Sequence, residues 1–148
     1  KIMKYIGPDF CNITTLLSDE ELLIQKTANE FVVKEFMPVV NEYYEKGSFP
    51  TELIPKMGEL GFFGATLPKK YGGSEISSTA YGLIMQELEK GDSGLRSVCS
   101  VQGGLVMYPI FQYGTEEQKD YFQKTNGINF IYKLYIMQEI IRQLEHGI

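Results

Sequence analysis

A single arginine lies in a long apolar part of the sequence, and its side chain could bind an anion. Arg96 is the only charged residue within positions 93–115. On a helix, Ser100 and Gly103 would share its face, four and seven residues further on, and Ser97 is adjacent. A guanidinium that leaves bulk water needs an anionic partner, and its charge strengthens the hydrogen bonds that it donates. The small neighbours would leave open space beside it.

The anionic partner of Arg96 could belong to the protein or to a ligand. Glu89 lies seven residues earlier, across a segment from Gly91 to Gly94 that should bend the chain sharply, and Asp92 lies within that segment. An ion pair with either acid would fix the bend between two helices. In the alternative arrangement, Arg96 binds the anionic end of a ligand. The spacing of the residues leaves both arrangements open.

The other reactive residues do not form a catalytic arrangement. Cys11 and Cys99 are far apart, and His146 is the only histidine, so the sequence lacks the ligand set of a zinc or iron–sulfur site. Neither Ser97 nor Ser100 has a histidine nearby in sequence that could activate it. We expect two free thiols, with Cys99 unreactive on a buried helix, and a solvated or helix-end position for His146. No catalytic residue and no metal site are predicted.

The composition excludes several classes of function. The chain has 148 residues, of which 43% are hydrophobic, and a net charge of -5. This is enough for one domain with its own core, and too apolar for a disordered chain. Nineteen acidic against 14 basic residues argue against nucleic acid as a partner, because phosphates need a clustered positive surface. Residues 93–115 could span a bilayer by length, but Arg96, Pro109 and four glycines favour a helix buried in a folded domain.

Signals for helices recur along the chain, and the helices that they predict must position Arg96. Ser18-Asp19-Glu20-Glu21 and Thr115-Glu116-Glu117-Gln118 are capping boxes, each of which predicts the start of a helix. Pro38 should kink or divide the first of these helices. Apolar residues at three- and four-residue spacing should form its buried face. These residues are Ile24, Ala28, Phe31, Val32 and Phe36.

Further helices are predicted between the two capping boxes. Residues 51–60 should form a helix that ends at Gly61, and another helix should begin at a cap provided by Ser77 or Ser78. No segment alternates as a strand would. The sequence therefore predicts an all-α fold, a helical bundle. A last apolar stripe makes the C-terminal tail helix-like as well. Its residues are Ile128, Ile131, Leu134, Met137, Ile141 and Leu144.

Several motifs resemble, in order and spacing, the N-terminal helical domain of the acyl-CoA dehydrogenases. They are Asp19-Glu20-Glu21 through Pro38, Met57-Gly58-Glu59-Leu60-Gly61, Tyr71-Gly72-Gly73, Ala80-Tyr81-Gly82-Leu83 and Glu87-Leu88-Glu89. A second set is similar to the glutaryl-CoA dehydrogenase branch. It comprises Asp92-Ser93-Gly94-Leu95-Arg96-Ser97, Ser100-Val101-Gln102, Leu105-Val106-Met107-Tyr108-Pro109-Ile110 and Tyr113-Gly114-Thr115-Glu116-Glu117-Gln118. The match spans residues 16–122, and residues 123–148 form a tail without a recognised counterpart.

The resemblance implies a substrate site around Arg96. In the glutaryl-CoA branch, the arginine at this motif position binds the distal carboxylate of the acyl group, with the following serine, here Ser97, beside it. Glu89 and Ser100 match further polar positions that line the pocket. The small residues would then leave room for a dicarboxylic acyl chain.

The resemblance also implies a reaction, a cofactor and partners. The family reaction is abstraction of an α-proton by a glutamate with hydride transfer to FAD, followed in this branch by decarboxylation to crotonyl-CoA. The middle β domain and the C-terminal helical domain, which hold much of the flavin and the catalytic glutamate, lie outside the match. This chain alone is therefore not expected to bind FAD or to be active.

The partners expected from the resemblance are glutaryl-CoA as substrate, electron-transfer flavoprotein as electron acceptor, and further copies of the chain in a homo-oligomer. The expected location is the cytoplasm of a bacterium or the mitochondrial matrix of a eukaryote. A second hypothesis assigns no chemistry to the chain. In it, the protein is a non-catalytic interaction or assembly module that has kept the helical fold and associates through its apolar faces.

Overall fold

A computed structural model of the chain describes residues 11–124, and every regular element within that range is helical. The α-helices are α1 (Asp19–Phe31), α2 (Val40–Lys46), α3 (Ile54–Glu59), α4 (Ser78–Gly91), α5 (Ser93–Ser100), α6 (Tyr108–Tyr113) and α7 (Glu116–Lys124). Two π-helical segments, Val32–Phe36 and Val101–Met107, follow α1 and α5. Short 3₁₀ turns occupy Ile13–Leu16, Thr51–Leu53 and Lys69–Tyr71. The all-α fold expected from the sequence is confirmed.

The N-terminus of α1 is the predicted capping box, and it is also tied to α4. The Glu21 amide donates to the Ser18 hydroxyl at 3.3 Å, and the Ser18 amide donates to Glu21 Oε2 at 3.0 Å. The other oxygen of Glu21 accepts from the hydroxyl of Ser77 at 2.8 Å. That hydroxyl in turn accepts from the Ala80 amide at 3.0 Å and so caps α4, as predicted. One carboxylate therefore connects the starts of two helices.

The first long helical pattern is divided near Pro38, as expected. The backbone widens into a π-helical turn, in which the Met37 amide donates to the Val32 carbonyl at 2.9 Å. The chain turns over the next residues, and α2 begins at Val40. Proline has no amide hydrogen and its ring clashes with the preceding turn, which explains why a regular α-helix does not continue. The division redirects the chain toward α3.

The core lies where α1, α4 and α5 pack together, with α3 and the following loop against them. The predicted apolar face of α1 is inside: Ala28, Phe31, Val32 and Phe36 are buried, and Ile24 packs against them. The residues that join them from the other elements are Leu53, Ile54, Met57, Phe62, Phe63, Ala65, Ile84, Leu88, Leu95 and Cys99. This core fixes α5 and its arginine relative to the rest of the domain.

A buried carboxylate that sequence patterning did not single out fastens α1 to α4. Glu87 is only 2% exposed. Its oxygens accept hydrogen bonds from Gln25 Nε2 and Asn29 Nδ2, both at 2.9 Å, and from Lys90 Nζ at 2.6 Å. Hydrogen bonds satisfy the charge, as a buried ion requires. Glu87 therefore has a structural role in helix packing.

The start of α7 is fixed by its predicted capping box and by Glu116. The Thr115 hydroxyl accepts from the Gln118 amide at 3.3 Å, and Gln118 Oε1 accepts from the Thr115 amide at 2.9 Å. Glu116 accepts from the Tyr71 hydroxyl at 2.7 Å, from Lys119 at 3.1 Å and from Lys70 at 3.3 Å. These bonds, with Tyr71 first, lower the pKa of Glu116 from 4.5 to about 2. The charged form of Glu116 thus holds α7 against the turn at Lys69–Tyr71.

We expect Glu116 to make folding stability depend on pH in the acid range. A carboxylate whose pKa is lower in the folded chain than in the unfolded chain stabilises the fold above the unfolded value, and this is lost as the pH falls toward the folded value. For Glu116 that window runs from 4.5 down to about 2. Urea unfolding at a series of pH values should show a steeper loss of stability in the unchanged chain than in Glu116→Gln. Glu117→Gln, at an exposed neighbouring position, is the control, and an equal effect of both variants would contradict the assignment.

The predicted bend between α4 and α5 is centred on Asp92, whose backbone is extended (φ -168°, ψ 140°). The Asp92 side chain caps α5 by accepting from the amides of Gly94 at 2.7 Å and Leu95 at 3.2 Å.

Within residues 11–124, no helix is both long and apolar enough to cross a membrane. The helix-like tail from Ile128 and the position of His146 lie outside the described residues.

Candidate functional site

The bend at Asp92 brings Arg96 and Glu89 together in an ion pair, which is one of the two arrangements that the sequence left open. Arg96 Nε donates to Glu89 Oε2 at 2.8 Å, and Nη1 donates to the Ser100 hydroxyl at 3.1 Å. The hydroxyl of Ser93, the first residue of α5, donates to the other oxygen of Glu89 at 2.6 Å. Asp92, the alternative acid, caps α5 instead. We call Glu89, Ser93, Arg96 and Ser100 the arginine cluster.

The arginine cluster lies at the surface, whereas the sequence predicted a buried arginine. The Arg96 side chain is 36% exposed and that of Glu89 is 47% exposed. The reason is the register of α5, which places Leu95 and Cys99 fully inside the core and Arg96 at its edge. Within residues 11–124, the hydrogen bonds shown for the Arg96 side chain are donated by Nε and Nη1, and none is shown from Nη2. The guanidinium is therefore partly exposed while Glu89 and Ser100 hold it.

Ser97 takes a smaller part than its neighbours. Its backbone carbonyl accepts from the Ser100 hydroxyl at 3.2 Å, and its side chain is half-buried. Of the four residues predicted for the site, the structure joins Glu89, Arg96 and Ser100 through side-chain hydrogen bonds and places Ser97 beside them. Sequence reasoning missed Ser93, whose hydroxyl reaches Glu89 across the break between the two helices at Asp92.

Local electrostatics favour the ionised form of Glu89. The hydrogen bond from Ser93 is the largest cause that lowers its pKa, followed by the hydrogen bond from Arg96. Burial raises the pKa of Tyr81 on α4, and the positive charge of Arg96 partly opposes that rise. A Cβ placed on Gly103 would lie 3.6 Å from the Tyr81 hydroxyl, an ordinary contact distance. The space beside Gly103 is therefore bounded by Tyr81.

An exposed apolar row follows α5 along the chain. Val101 is 46% exposed, Leu105 is 72% exposed and Tyr108 is 49% exposed. Among the described residues, none has an atom within 4 Å of a Cβ placed on the neighbouring Gly104. Exposed apolar side chains of this kind can contact the hydrocarbon part of a ligand.

Cys99 is excluded as a nucleophile, as predicted. Its side chain is fully buried, its thiol donates to the Phe62 carbonyl at 3.1 Å, and burial raises its pKa to about 12. A thiol reacts as the thiolate, which this environment suppresses. Cys11 is exposed, and the two thiols are not bonded to each other. Within residues 11–124, no three metal-ligating side chains come together.

We therefore expect thiol reagents to distinguish the two cysteines. In the folded chain, a disulfide reagent should modify one thiol rapidly, and the second should react only after urea is added. Cys11→Ser should remove the rapid phase and Cys99→Ser should leave it intact. The reverse pattern would contradict the burial of Cys99.

The comparisons with known proteins agree with the fold. Residues 18–125 match the family model described as "Acyl-CoA dehydrogenase, N-terminal domain". The chain is 34% identical over 107 residues to the 3-(aryl)acrylate reductase of Clostridium sporogenes, covering 72% of this chain and 28% of that protein. It is 33% identical over 119 residues to the glutaryl-CoA dehydrogenase of Desulfococcus multivorans, covering 78% and 31%.

Solved structures give the same result in three dimensions. The glutaryl-CoA dehydrogenase of Mycobacterium smegmatis superimposes with a TM-score of 0.76 at 41% identity, over 82% of this chain and 32% of that chain. A second structure of that organism's enzyme, in complex with FADH2, has a TM-score of 0.76 at 38% identity, over 80% and 31%. A chain from the structure of the electron transferring flavoprotein of Acidaminococcus fermentans has a TM-score of 0.71 at 34% identity, over 76% and 30%.

This chain spans less than a third of the length of each of these relatives. The relatives differ in their named substrates, since an arylacrylate reductase and glutaryl-CoA dehydrogenases both match. The similarity therefore identifies the family and its N-terminal domain without separating one substrate from another. With its all-α fold and its match to the family over residues 18–125, the chain belongs to the FAD-dependent acyl-CoA dehydrogenases, of which it represents the N-terminal domain.

Proposed function

We propose that the chain is the N-terminal domain of an acyl-CoA dehydrogenase that acts on glutaryl-CoA, and that it holds the distal carboxylate of the acyl group. The observation that supports this proposal is the arrangement of Arg96. Its guanidinium is oriented by Glu89 and Ser100, it is partly exposed, and its Nη2 faces no described partner. A carboxylate is the natural acceptor for the free side of such a guanidinium.

The residues of the chain would bind the two parts of the acyl group differently. Arg96 supplies the charge for the carboxylate, while Glu89 holds Nε and so fixes the plane of the guanidinium. The exposed row of Val101, Leu105 and Tyr108 would pack against the methylene groups.

The proton and hydride transfers are assigned to parts of the family fold outside this match. FAD supplies the hydride acceptor when it is bound. The arginine cluster suits a carboxylate, because the donor that it offers to a ligand is one guanidinium nitrogen, Nη2 of Arg96. A flavin ring would need several donors and acceptors along its edge. We therefore assign no flavin-holding role to the described residues, and we propose that the chain is inactive by itself.

Two further partners follow from membership of the family. We propose electron-transfer flavoprotein as the electron acceptor of the complete enzyme, a proposal supported by the likeness to a chain from an electron transferring flavoprotein structure. We also propose a homo-oligomer. The exposed apolar side chains of this domain support it, because water-exposed rows of this kind are typical of surfaces that pack against protein.

A domain exchange tests the proposed function. Residues 16–122 would replace the corresponding part of the M. smegmatis glutaryl-CoA dehydrogenase, which is 41% identical to this chain. We expect the chimera to contain flavin and to reduce an electron-accepting dye with glutaryl-CoA in preference to butyryl-CoA. A folded, flavin-containing chimera that prefers butyryl-CoA would contradict the proposed substrate.

The alternative is the non-catalytic assembly module, which the exposed apolar row also favours. The two functions differ in how the unchanged 148-residue chain behaves. A colourless protein that forms a defined oligomer, together with a chimera that has no dehydrogenase activity, would favour the module. An active chimera would favour the enzyme domain, whatever oligomeric state the isolated chain has.

A further inference from the structure

We propose that Ser93 is a positioning residue, whose hydroxyl holds the Glu89 carboxylate in the orientation that presents Arg96 to the acyl carboxylate. This inference deepens the proposed function and rests on it for its substrate. Ser93 would not touch the ligand. It would act through Glu89, which in turn orients the guanidinium.

The geometry that supports this role is the sharing of one carboxylate by two donors. Ser93 Oγ donates to Oε1 of Glu89 at 2.6 Å, and Arg96 Nε donates to Oε2 at 2.8 Å. A carboxylate bound through both oxygens cannot rotate about its last side-chain bond without breaking one of them. The Glu89 side chain is 47% exposed, so packing alone does not restrain it. The second donor therefore decides its orientation.

The position of Ser93 is itself fixed by the bend. Ser93 is the first residue of α5, directly after Asp92, and the Asp92 side chain binds the amides of Gly94 and Leu95. Glu89 lies in the last turn of α4. The hydroxyl thus reaches back from a capped helix start to the end of the preceding helix. The hydrogen bonds of the arginine cluster therefore form only when α4 and α5 keep the angle that the bend at Asp92 sets between them.

The electrostatics of Glu89 agree with this geometry. Ser93 is the largest contributor to the lowered pKa of Glu89, ahead of Arg96. Among the described residues, Arg96 of α5 is the charged group that acts on this carboxylate. Loss of the hydroxyl should therefore raise the pKa of Glu89 toward its ordinary value and loosen Arg96 at the same time.

The test compares Ser93→Ala, Ser93→Thr and Ser78→Ala in the 148-residue chain. Ser78 is the matched control because it is the first residue of α4, as Ser93 is of α5, and is exposed. NMR would follow the titration of the Glu89 carboxyl carbon and the exchange rate of the Arg96 Nε hydrogen. Titrations with glutaryl-CoA and butyryl-CoA would measure binding by chemical-shift changes.

In Ser93→Ala, we expect a higher pKa for Glu89, about threefold faster exchange of the Arg96 Nε hydrogen and about threefold weaker binding of glutaryl-CoA, with butyryl-CoA unchanged. Ser93→Thr should restore all three values, since it keeps the hydroxyl, and Ser78→Ala should change none. Titration and exchange that are the same in Ser93→Ala as in the unchanged chain would overturn the positioning role. Equal binding of both acyl-CoAs by the unchanged chain would instead refute the proposed substrate, while the two NMR readouts would still decide the role of Ser93.

Discussion

Replacing Arg96 by alanine is expected to weaken binding of glutaryl-CoA by about 10- to 100-fold and to leave binding of butyryl-CoA within about twofold. The reason is that only the first ligand carries a distal carboxylate for the guanidinium to bind. The measurement is the Kd of each acyl-CoA in the chimera that carries residues 16–122, with and without the substitution. The variant should fold normally, because the ion pair of Arg96 with Glu89 is more than one-third exposed at both side chains.

Arg96→Lys is the matched control for this prediction. Lysine keeps the positive charge but loses the planar fork that binds Glu89, Ser100 and a ligand together. We expect glutaryl-CoA affinity between those of the unchanged chimera and Arg96→Ala. Equal weakening of glutaryl-CoA and butyryl-CoA binding by Arg96→Ala would show that Arg96 serves only to fix the bend between α4 and α5.

Replacing Glu87 by alanine is expected to lower the free energy of unfolding by about 2 to 3 kcal/mol. Glu87 is 2% exposed and accepts hydrogen bonds from Gln25, Asn29 and Lys90, so its removal takes the shared acceptor from three donors and opens a space between α1 and α4. Urea unfolding of the 148-residue chain, followed by circular dichroism, would measure the loss.

Glu89→Ala provides the control on the same helix. Glu89 lies two residues from Glu87, and its side chain is 47% exposed. Its replacement by alanine changes helix propensity by the same amount as the replacement of Glu87. We expect the urea midpoint of Glu89→Ala to stay close to that of the unchanged chain. If Glu87→Ala unfolded at the same urea concentration as Glu89→Ala, Glu87 would not fasten the two helices.

The local signals in the sequence predicted most of the fold correctly. The capping boxes at Ser18 and Thr115, the cap at Ser77 and the division near Pro38 each depend on residues within one or two turns of each other. The apolar face of α1 could be read for the same reason, since its periodicity is a property of the helix alone. Local features of this kind can be predicted from the sequence, because the residues that form them lie close together in the chain.

The candidate site was only partly predictable. Spacing placed Glu89 and Ser100 within reach of Arg96, because all three lie on two consecutive helices. The exposure of Arg96 was predicted wrongly, since it depends on how α5 rotates against the core and not on the apolar character of the surrounding segment. Ser93 was missed because its hydroxyl reaches Glu89 only across the bend.

The sequence by itself determined an all-α domain of the acyl-CoA dehydrogenase family, the starts of its helices and one cation in an apolar segment. The tertiary structure decided which partners that cation has and how far water reaches it. It also revealed Glu87, whose partners Gln25 and Asn29 lie 62 and 58 residues away in the chain. The physical reason is that hydrogen bonds between distant residues exist only after the core of α1, α4 and α5 has packed, and no local pattern encodes the final angles between those helices.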